Sequence, residues 1–157
     1  MQLKPGVSPT KMNASMWRPV DGLEGPCGDI SYQRTPSGEL VVTMHFSFVS
    51  GLPNRDLQIS FEGACALLWE DECPGFFPSP EGMPKCTDPE WNQWVFPLQK
   101  IEDSELLREH RSVRELGNAP RLAHYFLISM NDLVHVVAHE TAAAKWVPGV
   151  ATAKGEA

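Results

Sequence analysis

His135 and His139 stand four residues apart in LVHVVAHE, and Glu140 follows at once. Two imidazoles at this spacing share one face of a helix. Helical zinc proteases use them so, with a glutamate directly after the first histidine as general base. Val136 holds that place here, so the base is missing. On a strand the two positions also share a face, because the side-chain period is two. His124 can join them from a partner strand, and three imidazoles are enough to hold a metal ion. A metal-dependent hydrolase using His124, His135 and His139 is therefore one reading. Half-exposed histidines on a sheet are the plainer one.

Other reactive residues lack their usual setting. Cys27, Cys65, Cys73 and Cys86 show no CxxC spacing, which argues against zinc. Cys65 lies in the apolar run Ala64–Trp69 and reads as a small core residue. Cys73 and Cys86 flank one loop and would pair only in an oxidising compartment, so free thiols are expected. Serine, histidine and aspartate are all present, but no GxSxG elbow marks a nucleophile. No GxxxxGK[ST] or GxGxxG loop offers a phosphate cradle. Glu70, Asp71 and Glu72 are adjacent carboxylates, and neighbours in a charged run are ordinarily solvated. No cofactor and no enzymatic activity are expected.

Charge points elsewhere. The chain carries a net −7, and nine acids against two bases between Glu62 and Asp103 account for all of it. A nucleic-acid binder needs a basic face, and this chain has the reverse. An acidic patch steers a basic protein partner. Within that segment, Asp71 to Trp91 holds Pro74, Pro78, Pro80, Pro84 and Pro89 and admits no regular element. It mixes acids with Phe76, Phe77, Met83 and Trp91. Apolar anchors inside a charged rim are the anatomy of an interface. Equally, such rings can fold back over an open face of a sheet.

The elements that must carry these residues are mostly strands. Leu122–Ser129 and Leu133–His139 are two apolar runs, rich in aromatic and β-branched residues, around Met130-Asn131-Asp132. They read as a hairpin at the centre of the core, with one long helix as the alternative. Leu40–Val49 alternates Leu40, Val42, Met44, Phe46 and Phe48 against Thr43, His45 and Ser47, the pattern of a half-buried antiparallel strand. Asp29–Thr35 is a short strand, and Asp56–Glu62 alternates Leu57, Ile59 and Phe61 inward. After Gly63, Ala64–Trp69 continues that strand or begins the next. Trp94–Ile101 reads as a strand that Pro97 confines to an edge or a bulge. Ser104 caps a helix across Glu105–Leu116, with Leu106, His110 and Val113 inward, Arg111 and Glu115 paired outside, and Gly117 and Pro120 as the stop. An Ala-rich turn and Trp146 follow.

The order of these features resembles a loose group of small bacterial proteins, many of them neighbours of toxin genes. It rests on a strand ending FEGACALLWEDE, a Pro-rich loop, a W-x-F-P strand, Ser104 with its helix, and HYFLISMNDLVHVVA. These proteins look like immunity proteins of polymorphic or contact-delivered toxins. The similarity covers roughly Leu40–Ala138 and carries no catalytic residue. The Pro-rich insertion before Trp91 departs from the group and would be the part fitted to one partner. The resemblance implies binding and neutralising a cognate toxin.

The expectation is one α+β domain over residues 16–147, with a mostly antiparallel sheet, one main helix at about 104–116 and a C-terminal β-hairpin. Residues 1–15 would be a loose arm and 148–157 a disordered tail. No apolar run reaches the ~18 residues of a membrane span, and the first residues hold no apolar signal core, so a cytoplasmic protein is expected. Its function would be non-catalytic protein binding, most sharply immunity by occlusion of a toxin's basic active site. Glu70, Asp71, Glu72, Phe76, Phe77 and Trp91 would form the surface, with Glu102 and Asp103 nearby. No nucleic acid or membrane partner is expected. A homodimer, or an assembly subunit meeting copies of itself through the same loop, stays open.

Overall fold

The computed structural model describes residues 13–23, 25–71, 95–102, 104–114 and 120–149. Glu72, Phe76, Phe77, Trp91 and Asp103 lie outside these, as do Cys73 and Cys86. In chain order the described elements are β1 (Asn13–Met16), β2 (Ile30–Arg34), β3 (Leu40–Met44), a 3-10 turn (Phe46–Phe48), β4 (Arg55–Phe61), β5 (Ala66–Asp71), β6 (Leu98–Glu102), α1 (Glu105–Arg114), β7 (Leu122–Ile128), β8 (Asp132–His139) and β9 (Ala143–Pro148). They form two antiparallel sheets, ordered β1-β6-β7-β8-β5 and β2-β3-β4-β9. The class is α+β, mostly β, as expected.

The two sheets face each other across one core. From the four-stranded sheet it takes Leu40, Val42 and Met44 of β3 and Leu57, Ile59 and Phe61 of β4. From the five-stranded sheet it takes Tyr125 and Leu127 of β7 and Val134 and Val136 of β8. These are alternate residues along each strand, as a pleated, one-side-buried strand requires. Trp17 fills the gap between the sheets, 4.7 Å from the Tyr125 ring and 6.4 Å from Phe61. The hairpin expected at the centre is there: β7 and β8 pair with Leu122 opposite His139 and Ile128 opposite Leu133. Ser129 Oγ accepts the N–H groups of Asn131 and Asp132 and closes the turn.

The outer face of the five-stranded sheet carries α1, where Leu107 packs with Leu122 and Val137. The helix begins where expected, since Ser104 Oγ accepts the Leu107 N–H at 3.0 Å. Leu107 is buried there and the expected Leu106 packs half-buried beside it, the expected His110 is also half-buried, the side chain of Val113 lies outside the described residues, and Arg111 reaches the Leu122 carbonyl. Glu115, the expected partner of Arg111, lies outside the described residues.

Several segments differ from expectation, chiefly where pairing between distant segments overrides a local signal. The strand β1, from Asn13 to Met16, pairs with β6, so part of the segment read as a loose arm is a strand. That pairing also makes β6 an interior strand; Pro97 precedes it and disturbs no ladder, and its carbonyl accepts the Ile128 N–H. The Ala-rich segment is β9 and lies along β4 from Ser60–Ala143 to Arg55–Pro148. Leu40–Val49 is a strand only to Met44, after which the 3-10 turn leaves Phe48 exposed. Of the two readings open for Ala64–Trp69, the new strand is the one found: Gly63, at φ +61, turns the chain from one sheet to the other before β5. Among the described residues no helix is long and apolar enough to cross a membrane.

Candidate functional site

Of the expected acidic and aromatic surface, the structure places Glu70, Asp71 and Glu102. The first two end β5, opposite Leu133 and Asp132 of β8. Asp71 therefore stands at the β7–β8 turn. Glu102 ends β6 at the other end of the sheet, because β6, β7, β8 and β5 run alternately up and down. The expectation that Glu102 lies near Glu70 and Asp71 is corrected by this register. Glu102 instead borders a cleft of about 350 Å³ beside α1, where Lys100, Arg111, Arg121 and Glu140 surround an apolar floor of Ile101, Leu107 and Leu122.

Beside Asp71, β5 exposes Leu68 (46%) and Trp69 (37%). Trp69 meets Tyr32 of β2 at 5.7 Å between rings, and Tyr32 is 54% exposed. Both strands end their sheets, so these rings lie where two sheet edges come together. Leu68, opposite His135, is on the outer face of the edge and Trp69, opposite Val134, on the other, so the edge carries apolar surface on both sides next to an acidic run, which matches the anatomy of an interface.

The three histidines part company. His124 and His135 share the outer face of the five-stranded sheet and bond each other, Nε2 to Nδ1, at 2.8 Å. His124 Nδ1 is hydrogen-bonded to the Ser104 hydroxyl at 2.7 Å, so the cap of α1 also fixes this ring. Phe126 stacks on His135 at 4.5 Å. Burial, then repulsion from His135, pulls His124 down to about 3, which keeps it neutral. His139 lies against Gly63 instead, whose missing Cβ makes room for its ring. Among the described residues no group of three possible metal ligands comes together. Replacing Ser104 by Ala removes one cap and one imidazole partner together. It should cost about 1–2 kcal/mol in urea unfolding; a loss below about 0.5 kcal/mol would deny the hydroxyl this double role.

Cys27 is buried, donates its thiol to the Asp29 carbonyl at 3.0 Å, and is pushed far up by burial. It is a structural thiol, not a reactive one.

One constellation was not singled out from the sequence. On the outer face of the four-stranded sheet, Ser31 Oγ is 2.8 Å from His45 Nε2, and His45 Nδ1 is 3.1 Å from Asp56 Oδ2. Asp56 is fully buried, and its other oxygen accepts the Ser47 N–H at 3.0 Å. A carboxylate so deep requires such partners. Phe48 stacks on His45 at 4.6 Å, nearly parallel. The signal was present in the alternation: Thr43, His45 and Ser47 oppose the core face, and Asp56 has the parity of Gln58. Comparison with protein families, curated proteins and solved structures gave no match for this chain.

Proposed function

We propose that this chain is a cytoplasmic protein-binding protein, and in its sharpest form an immunity protein that neutralises a cognate bacterial toxin. Its mechanism would be occlusion, with an acidic, apolar-anchored surface covering a basic active site. The observation that carries the reading is the end of β5. Trp69, with Tyr32 beside it, and Leu68 on the other face of the edge are exposed where the strand runs into Glu70 and Asp71. From Glu62 to Asp103 the chain carries its entire excess of negative charge. The rings supply anchors and the carboxylates supply steering. Glu72, Phe76, Phe77 and Trp91 extend the proposed surface; Glu102 drops out of it, because it stands at the far end of the sheet.

Co-expression tests the proposal. Cells producing a candidate toxin, sought in the neighbouring gene or by capture from the native host, should grow when this chain is present. The Leu68→Ala, Trp69→Ala double variant should lose that protection while accumulating normally. Continued growth arrest in the presence of abundant folded wild-type protein would refute the immunity reading.

A further inference from the structure

We propose that Ser31, His45 and Asp56 form a nucleophilic triad able to cleave small carboxylic esters. The inference goes beyond the binding function and stands independently of it. Three features carry it. The first is the set of roles: a hydroxyl on His45 Nε2 at 2.8 Å and a carboxylate on Nδ1 at 3.1 Å. That order fixes the imidazole with its accepting nitrogen toward the serine, which is what a general base requires. The second is burial. Ser31 is exposed on edge strand β2, His45 is 9% exposed and Asp56 is not exposed at all. The nucleophile meets solvent while the orienting carboxylate is held away from it.

The third feature is the surroundings of Ser31. Antiparallel pairing that places the His45 N–H on the Asp29 carbonyl turns the Tyr32 N–H away from β3, toward the open edge. A backbone donor directly after the nucleophile can stabilise an oxyanion. The exposed ring of Phe48, stacked on His45, gives the serine's face apolar surface, which suits a small neutral ester with an aryl group. The backbone just before β2 is tied to the β7–β8 turn on one side and to His45 on the other. Asn131 of that turn donates to the Gly28 carbonyl, and the Gly28 N–H donates to the His45 carbonyl.

In the reaction, Ser31 Oγ bonds to the ester carbonyl carbon as its proton passes to His45 Nε2. The ester C–O bond then breaks, and the alcohol leaves with that proton. Water attacks the acyl-serine, gives its proton to Nε2, and the acid departs as Ser31 regains its hydrogen. Ester and water become acid and alcohol, with no further reactant.

The full-length protein should be incubated with a fluorophosphonate probe, mapped by tandem mass spectrometry, and assayed with p-nitrophenyl acetate. One adduct on Ser31 and catalytic release of p-nitrophenol are expected. Ser31→Ala, at an exposed position, should fold and lose both. His45→Gln should label at least about 100-fold more slowly. Absence of an adduct on Ser31 in the wild-type protein would overturn the proposal. So would equal labelling of a folded His45→Gln variant. Neither result bears on toxin protection, so the two functions fail separately.

Discussion

Lowering the pH from 6.5 to about 3 should remove on the order of 4 kcal/mol of folding stability through His124 alone. The ring is 3% exposed, enclosed by the Ser104 cap and by His135. Burial is the main reason that it resists a proton, and the neighbouring imidazole is the second. The sign follows from the unfolded state. Unfolded, His124 takes up a proton near the usual 6.5; folded, it does so only near about 3. Its stabilising effect is fully present above 6.5, decays as the pH falls through that window, and is gone below it. A loss of this size is a large part of the ~5–15 kcal/mol that holds a domain folded. Urea unfolding at stepped pH measures it. His124→Gln cannot titrate and can still reach Ser104. Between pH 6 and 4 its stability should fall less steeply than wild type by about one proton, or ~1.4 kcal/mol per pH unit. Parallel slopes for the two proteins would show that His124 titrates normally.

Reversing Glu70, Asp71 and Glu72 to Lys should slow association with a basic partner by about 10- to 100-fold at low salt. The effect should shrink as salt is added, because screening acts on long-range steering. Dissociation should change little. Trp69→Ala should do the opposite, leaving association nearly intact and speeding dissociation by about 30-fold or more, the scale of a hot-spot aromatic. The reasoning is a division of labour. Charges act before contact, whereas rings act after water has left. Thermal stability of the charge variant is expected to stay near wild type, since carboxylates that serve a partner contribute little to the fold. Stopped-flow binding separates the two rates. Unchanged rates in both variants would remove the end of β5 from the interface.

The sequence foretold what local pattern determines. The β7–β8 hairpin, the inward Leu57, Ile59 and Phe61, and Ser104 at the start of α1 all follow from period or capping chemistry, and all are present. What it missed is pairing between distant segments. Nothing local in Asn13–Met16 or Ala143–Pro148 marks a strand; each is one because β6 or β4 offers it an open edge. The site divides in the same way. The charge excess is visible in composition, and Glu70 and Asp71 fall at a strand end as a run of carboxylates suggests. The separation of Glu102 from them depends on strand order, which composition does not encode. Ser31, His45 and Asp56 are separated by 14 and 11 residues, and only the registers of β2, β3 and β4 bring them together.

Titrating the purified chain into a purified candidate toxin, taken from the neighbouring gene or captured from the native host, with toxin activity and heat followed together, tests the central claim most directly. One-to-one binding should extinguish the activity at equivalence, with the Trp69→Ala variant requiring a clear excess. A toxin that stays fully active, with no heat of binding, would contradict the claim that this acidic, ring-bearing edge exists to cover a partner.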